Sequence, residues 1–199
     1  MQQTTLKARG WRAFFRTGAV AGLALLSACG AELSQSFVHR SGVPSAFNYG
    51  AGGRDLRTVV LGNPFAMPKV VIDEAVIDSI QGMNNGPVTH FTIAPSNDAR
   101  APYRVVILFD PPKTLAWRDL CGNAAALESV ARDARLRVSI AFCVNEPLYA
   151  HVDSSIPSAD SPDDPAFRKM MGRATFLLIP PRDPTTAGDD ACEAPTVCP

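Results

Sequence analysis

His151, Asp153, Ser154 and Ser155 fall within the pentapeptide "HVDSS" and carry the residue types of a serine hydrolase. A serine nucleophile needs a base within hydrogen-bond reach and a carboxylate to orient that base. Neighbours on an extended segment point to opposite sides, and no G-x-S-x-G turn is present to present a serine above a sheet. The pattern therefore argues against hydrolysis. His151 and Asp153 stand at i and i+2, so on a strand they would share a face and could bind a metal. No third ligand accompanies them. His39 lies in a polar stretch and reads as solvated, while His90 reads as a half-buried strand residue with Val88 and Thr92 on its face. Asp160, Asp163 and Asp164 lack the alternating oxygen ligands and the glycine of a calcium loop, and Asp164 is placed to cap a helix. Gly50, Gly52 and Gly53 in "YGAGGRD" precede a strand instead of joining strand to helix, so they read as a hinge and not a phosphate loop. Trp117 and the Met170-Met171 pair read as core. No catalytic residue, metal or cofactor is assigned.

The elements around these residues follow from periodicity and turn chemistry. Leu56 to Gly62 is a β-branched run closed by Gly-Asn-Pro and predicts a strand. "PKVVIDEAVIDSIQG" predicts a helix, with Pro68 in its first turn, a stripe of Ile72, Ala75, Val76 and Ile80, and Gly82 as its left-handed stop. Val88 to Pro95 and Tyr103 to Asp110 read as two strands joined by a polar loop that suits a hairpin; the apolar run Val105 to Phe109 predicts a central position. Residues 111–135 offer a short helical turn and then either a weak helix or a long loop. Leu136, Val138, Ile140, Phe142 and Val144 alternate with Arg137, Ser139, Ala141 and Cys143, the pattern of a strand with one buried face. Residues 145–162 read as a loop. Asp164-Pro165 then opens a helix whose stripe is Phe167, Met170, Met171, Ala174 and Leu178, stopped at Pro180-Pro181. The expected fold is α+β: a two-layer sandwich of about four mainly antiparallel strands with two helices on one face.

The start of the chain has a different character. Lys7, Arg9, Arg12 and Arg16 precede the short apolar run Ala19 to Leu26, with no acid among them. That order of charge, short apolar run and small residues is a secretory signal, too short to span a bilayer. Leu26-Ser27-Ala28-Cys29 resembles the lipobox of bacterial lipoproteins. The resemblance implies lipidation of Cys29, removal of residues 1–28 and acylation of the new amino terminus. It also implies, from Gly30 where an inner-membrane retention signal has Asp, attachment to the outer membrane facing the periplasm. Residues 29–53 then read as a tether, 54–181 as the folded α+β domain, and 182–199 as a disordered tail with a cysteine loop.

Composition narrows the partners. The chain has nineteen basic and nineteen acidic residues; losing four basic ones with the signal leaves a net charge of −4. That argues against a nucleic-acid partner, whose phosphates need clustered cations, and against a polybasic membrane patch. Of five cysteines, setting Cys29 aside leaves Cys121, Cys143, Cys192 and Cys198. An even set in an oxidising compartment reads as two disulfides. Three pairings are allowed, and the expected one joins Cys121 to Cys143 within the domain and Cys192 to Cys198 in the tail. The absence of any C-x-x-C pair argues against zinc. The functional expectation is a non-enzymatic envelope lipoprotein that binds another envelope component. The alternatives are a small-molecule or lipid carrier, and behind it an anchored hydrolase centred on His151.

Overall fold

A computed structural model of the chain describes residues 40–181. The signal segment, Cys29, residues 29–39 of the expected tether with His39, and the tail with Cys192 and Cys198 lie outside the described residues. The described chain is α+β, with a five-stranded mixed sheet in the order β2-β1-β3-β4-β5. The strands are β1 (Asp55–Leu61), β2 (His90–Thr92), β3 (Tyr103–Phe109), β4 (Leu136–Val144) and β5 (Leu148–Ile156). The helices are α1 (Val43–Ala51), α2 (Lys69–Ile80), α3 (Asp119–Gly122) and α4 (Pro165–Leu178). β1 pairs in parallel with β2 and β3, whereas β3/β4 and β4/β5 are antiparallel.

Where a tether is expected, residues 43–51 form α1, which packs into the core. Val43, Phe47 and Ala51 recur every fourth residue and are fully buried. Phe47 meets Phe142 of β4 edge to face at 5.3 Å. Gly50 is no hinge: a Cβ there would stand 2.4 Å from the Tyr103 ring, so only glycine lets α1 approach β3 this closely. Ser45, Asn48 and Gly50 within this segment weaken its helical propensity. Packing of its apolar stripe compensates.

α2 and α4 form as their stripes require. Ile72, Val76 and Ile80 are buried, Gly82 follows with φ +69°, and Ser79 takes the buried place expected of Ala75 by donating its hydroxyl to the Val76 carbonyl at 2.7 Å. Asp164 caps α4 by accepting from the Ala166 N–H at 2.8 Å, and Phe167, Met170, Met171, Ala174 and Leu178 are all buried. Helices α1, α2 and α4 share one face of the sheet. There they cover Leu56, Val60, Phe91, Val105, Ile107, Phe109 and the even-numbered side of β4. The expected pair of helices on one face is thus a trio.

The hairpin expected between residues 88 and 110 does not form. α2 returns the chain to the outer side of β1, so β2 is a three-residue parallel edge strand and β1 lies between it and β3. The Gln81 amide closes that edge. Its nitrogen donates to the Phe91 carbonyl at 2.6 Å, and the Phe91 N–H donates to its oxygen at 3.2 Å. A side chain here stands in for a further strand and blocks edge pairing.

Residues 145–162, expected as a loop, contain β5. Asn145 takes a positive φ of 55° in the turn, and a bulge opposite Phe142/Cys143 shifts Leu148 to the second face of the sheet. That face is covered by residues 111–127, an irregular segment holding α3 and a 3₁₀ turn at Ala124–Ala126. Leu120 and Cys121 pack there on Val106, Leu108, Ala141, Cys143 and Leu148. Cys121 and Cys143 form a disulfide with their Cα atoms 5.5 Å apart, the pairing expected within the domain.

Candidate functional site

The covering segment leaves a cleft of about 240 Å³ between itself and the exposed ends of β4 and β5. Pro111, Pro112, Leu115 and Trp117 make its outer wall; Arg137 and Ser139 of β4 and Asp153 and Ser155 of β5 make its floor, with Lys113 at the rim. Strand alternation sends Arg137 and Ser139 away from the helix face. The β4/β5 register then sets Ser139 opposite Asp153 and Arg137 opposite Ser155. Asp133 stands 3.7 Å from the Lys113 ammonium and 3.8 Å from the Arg137 guanidinium, so the cations are partly neutralised. Backbone N–H groups of Ala134 and Arg135 hold the Asp133 carboxyl below its ordinary value.

His151 lies under this site and is fully buried. Its ring stacks against Trp117 at 5.0 Å, with 24° between the planes. It shares a face with Asp153, as the i, i+2 spacing requires of a strand, and its Nε2 lies 3.2 Å from Asp153 Oδ1. The Ser139 hydroxyl donates to that same carboxylate oxygen. The aspartate therefore stands between serine and histidine. A nucleophilic serine needs the imidazole in the middle, within reach of the hydroxyl proton. Ser154 belongs to the opposite face of β5 and Ser155 is bonded to Arg135 at 3.2 Å, so the structure brings His151 to neither serine of "HVDSS".

A second Ser/Asp/His group lies at the other edge of the sheet and has the same order. Asp55 Oδ2 accepts from the Ser96 N–H at 2.8 Å and from the Ser96 hydroxyl, while His90 Nδ1 meets Oδ1 at 2.6 Å. The His90 side chain is 65 % exposed, not half-buried as the strand pattern suggests, because β2 is an edge. The hydroxyl of Ser96, then its backbone N–H, then His90 lower the Asp55 carboxyl from 3.8 to about 2. A carboxylate whose folded pKa lies below its unfolded one stabilises the fold fully above the unfolded value. That contribution is lost as pH falls through the folded value. Asp55→Asn is accordingly expected to lower the urea midpoint near neutral pH and to flatten the parent's loss of stability between about pH 4 and pH 2. A variant whose midpoints track the parent at both ends of that window would show that the Ser96 contacts contribute nothing.

Among the described residues, no group of three or more His, Cys, Asp or Glu side chains is gathered where it could hold a metal. Asp164 is spent on its helix cap, and Asp163 pairs with Arg168 at 2.6 Å. Sequence reasoning missed Lys113, Asp133, Arg137 and Ser139 as cleft residues. The β4 alternation does mark Arg137 and Ser139 as neighbours on one face. What assembles the site is the pairing of β5. No protein-family model, no curated protein and no solved structure matches this chain.

Proposed function

We propose that the chain is a lipid-anchored protein of the bacterial envelope, held by acylated Cys29 at the outer membrane and facing the periplasm. Its domain binds another envelope component without transforming it. The observation that carries the non-enzymatic reading is the order Ser139–Asp153–His151. Among the described residues the one imidazole near the cleft, His151, is buried against Trp117, and the Ser139 hydroxyl is directed to the Asp153 carboxylate and not to that ring. What remains at the cleft is a polar recognition set: Trp117 at its wall, the cations Lys113 and Arg137, and the carboxylates Asp133 and Asp153, with Ser139 buried beneath them. The carrier alternative is less favoured, because both faces of the sheet are covered.

Cys29→Ser tests the anchor: unprocessed precursor and loss of palmitate labelling are expected, and normal maturation would remove the lipobox reading. The binding role is tested in cells with a photo-crosslinking residue at position 113, on the rim, and another at exposed position 169 on α4. A discrete adduct from the first and none from the second is expected. Equal labelling from both, or none from either, would overturn the cleft as the contact.

A further inference from the structure

The second face of the sheet is open toward β2. Strand alternation turns Leu56, Thr58, Phe91 and Val105 under the helices, where they are buried, and so sends Arg57, Thr92 and Arg104 to the second face. The registers set these three abreast: Thr92 of β2 beside Arg57 of β1, and Arg57 beside Arg104 of β3. Neighbouring strands lie about 4.8 Å apart, so the row spans about 10 Å. At its inner end the Arg104 guanidinium donates to the Cys121 carbonyl, at the edge of the covering segment. His90, with its Nδ1 on Asp55, borders the row from β2.

Like charges directly opposite on neighbouring strands cost stability, and this pair is not neutralised by its surroundings. Arg57 is exposed and makes no hydrogen bond or ion pair among the described residues. Burial, and then the Arg57 charge, hold the Arg104 guanidinium below its ordinary pKa; Glu146 opposes them only in part. The acids beyond Arg57 are committed elsewhere. Asp55 accepts from Ser96 and meets His90, and Asp98 accepts from the Ser96 hydroxyl. The Thr92 oxygen accepts from the Ala94 N–H at 3.1 Å, which leaves its hydroxyl proton to donate. The row thus holds positive charge and donors in excess of acceptors. We infer that Thr92, Arg57 and Arg104 form a binding site for a phosphate monoester. Its charge of about −2 matches the two guanidiniums, and its three free oxygens match the three side chains. A carboxylate, with one charge and two oxygens, leaves a member of the row unpaired. The site is separate from the Trp117 cleft and depends on neither the partner nor the anchor proposed above. Soluble sugar phosphates and phosphatidic acid carry the same phosphate chemistry.

The test is calorimetric titration of the full chain, purified in neutral detergent, at about pH 8, where the phosphate group is a dianion. The probes are inorganic phosphate, a hexose phosphate, and phosphatidic acid doped into the micelles. Acetate and phosphatidylglycerol at matched ionic strength are the controls. Saturable binding of inorganic phosphate is expected. Arg57→Gln should weaken it about tenfold or more, the usual worth of hydrogen bonds to a charged group. Thr92→Val should weaken it severalfold, and Lys169→Gln on α4 should leave it unchanged. Arg57 and Lys169 are both exposed, so these variants keep the fold, and their unfolding midpoints without phosphate check this. Arg104 is left in place because its bond to Cys121 also holds the cover. Tighter binding of the hexose phosphate than of phosphatidic acid assigns a soluble ligand, and the reverse assigns a lipid; either supports the site. Equal affinity in the parent and Arg57→Gln overturns it, as does the absence of saturable binding. Acetate or phosphatidylglycerol bound as tightly as the phosphate monoesters overturns it too, since the row then attracts any anion.

Discussion

Phe47→Ala is expected to destabilise the domain by about 3–5 kcal/mol, the usual cost of emptying a fully buried phenylalanine site. The ring has no solvent exposure and lies edge to face on Phe142, which itself stacks with Tyr103 at 6.4 Å and meets Tyr149 at 6.2 Å. Removing it takes the keystone from the contact between α1 and three strands. The surrounding backbone is held by sheet pairing, so the cavity has little room to collapse. With about 0.3 kcal/mol/K of unfolding entropy for a domain of this length, the midpoint of thermal unfolding should fall by roughly 10–15 °C. Tyr49→Ala, two residues away but 59 % exposed, should cost under about 1 kcal/mol. Calorimetry of the two variants decides whether residues 43–51 belong to the cooperative unit. Equal, small losses would return this segment to the status of a tether.

Replacing Cys121 and Cys143 together with serine is expected to cost about 3 kcal/mol, or about 10 °C in the unfolding midpoint. The bond closes a loop spanning 22 residues and is the covalent link between α3 and β4 on the second face of the sheet. In the chain-entropy account the loss comes from a freer unfolded chain. The folded state adds a local term, because two hydroxyls replace sulfur in a cluster with Val106, Leu108 and Leu148. The loss should therefore be accompanied by loosening of residues 111–127. Hydrogen exchange at α3 and around Trp117 should speed up more than exchange in α2 or α4. The readout is two-part: unfolding midpoint for the global effect, exchange rates for the local one. Unchanged exchange over residues 111–127 would mean that side-chain packing alone holds the cover in place.

The elements legible in the sequence are those whose own residues settle them. α2 and α4 have apolar stripes at helical spacing and proper ends. Asp164-Pro165 starts one and Gly82 follows the other. β1, β3 and β4 are β-branched runs, and the alternation in β4 separates Phe142 from Arg137 and Ser139 before any partner is known. The Cys121–Cys143 pairing was accessible because few pairings were possible and both residues fall within one domain.

The elements that were not legible depend on partners far away in the chain. α1 has a stripe only three residues long, and its helix is stable because Phe142 and Tyr103 wait beneath it. β5 carries His151, Asp153, Ser154 and Ser155, poor strand formers, and is a strand because β4 offers it a full ladder. β2 is short and sits beyond β1 because α2 carries the chain there, a matter of crossover and not of local propensity. The cleft has the same origin. Its residue types are visible along the chain, but Ser139 faces Asp153 only through the register of two strands, and Trp117 covers His151 only because a disulfide and a leucine cluster bring its loop down. By itself the sequence determined the elements with strong local periodicity, the α+β class and the Cys121–Cys143 pair. Tertiary structure alone decided the strand order, the helix built from weak formers and the placing of an aspartate between serine and histidine. Local free energies are read from neighbouring residues, whereas pairing and burial are settled by residues distant in the chain and close in space.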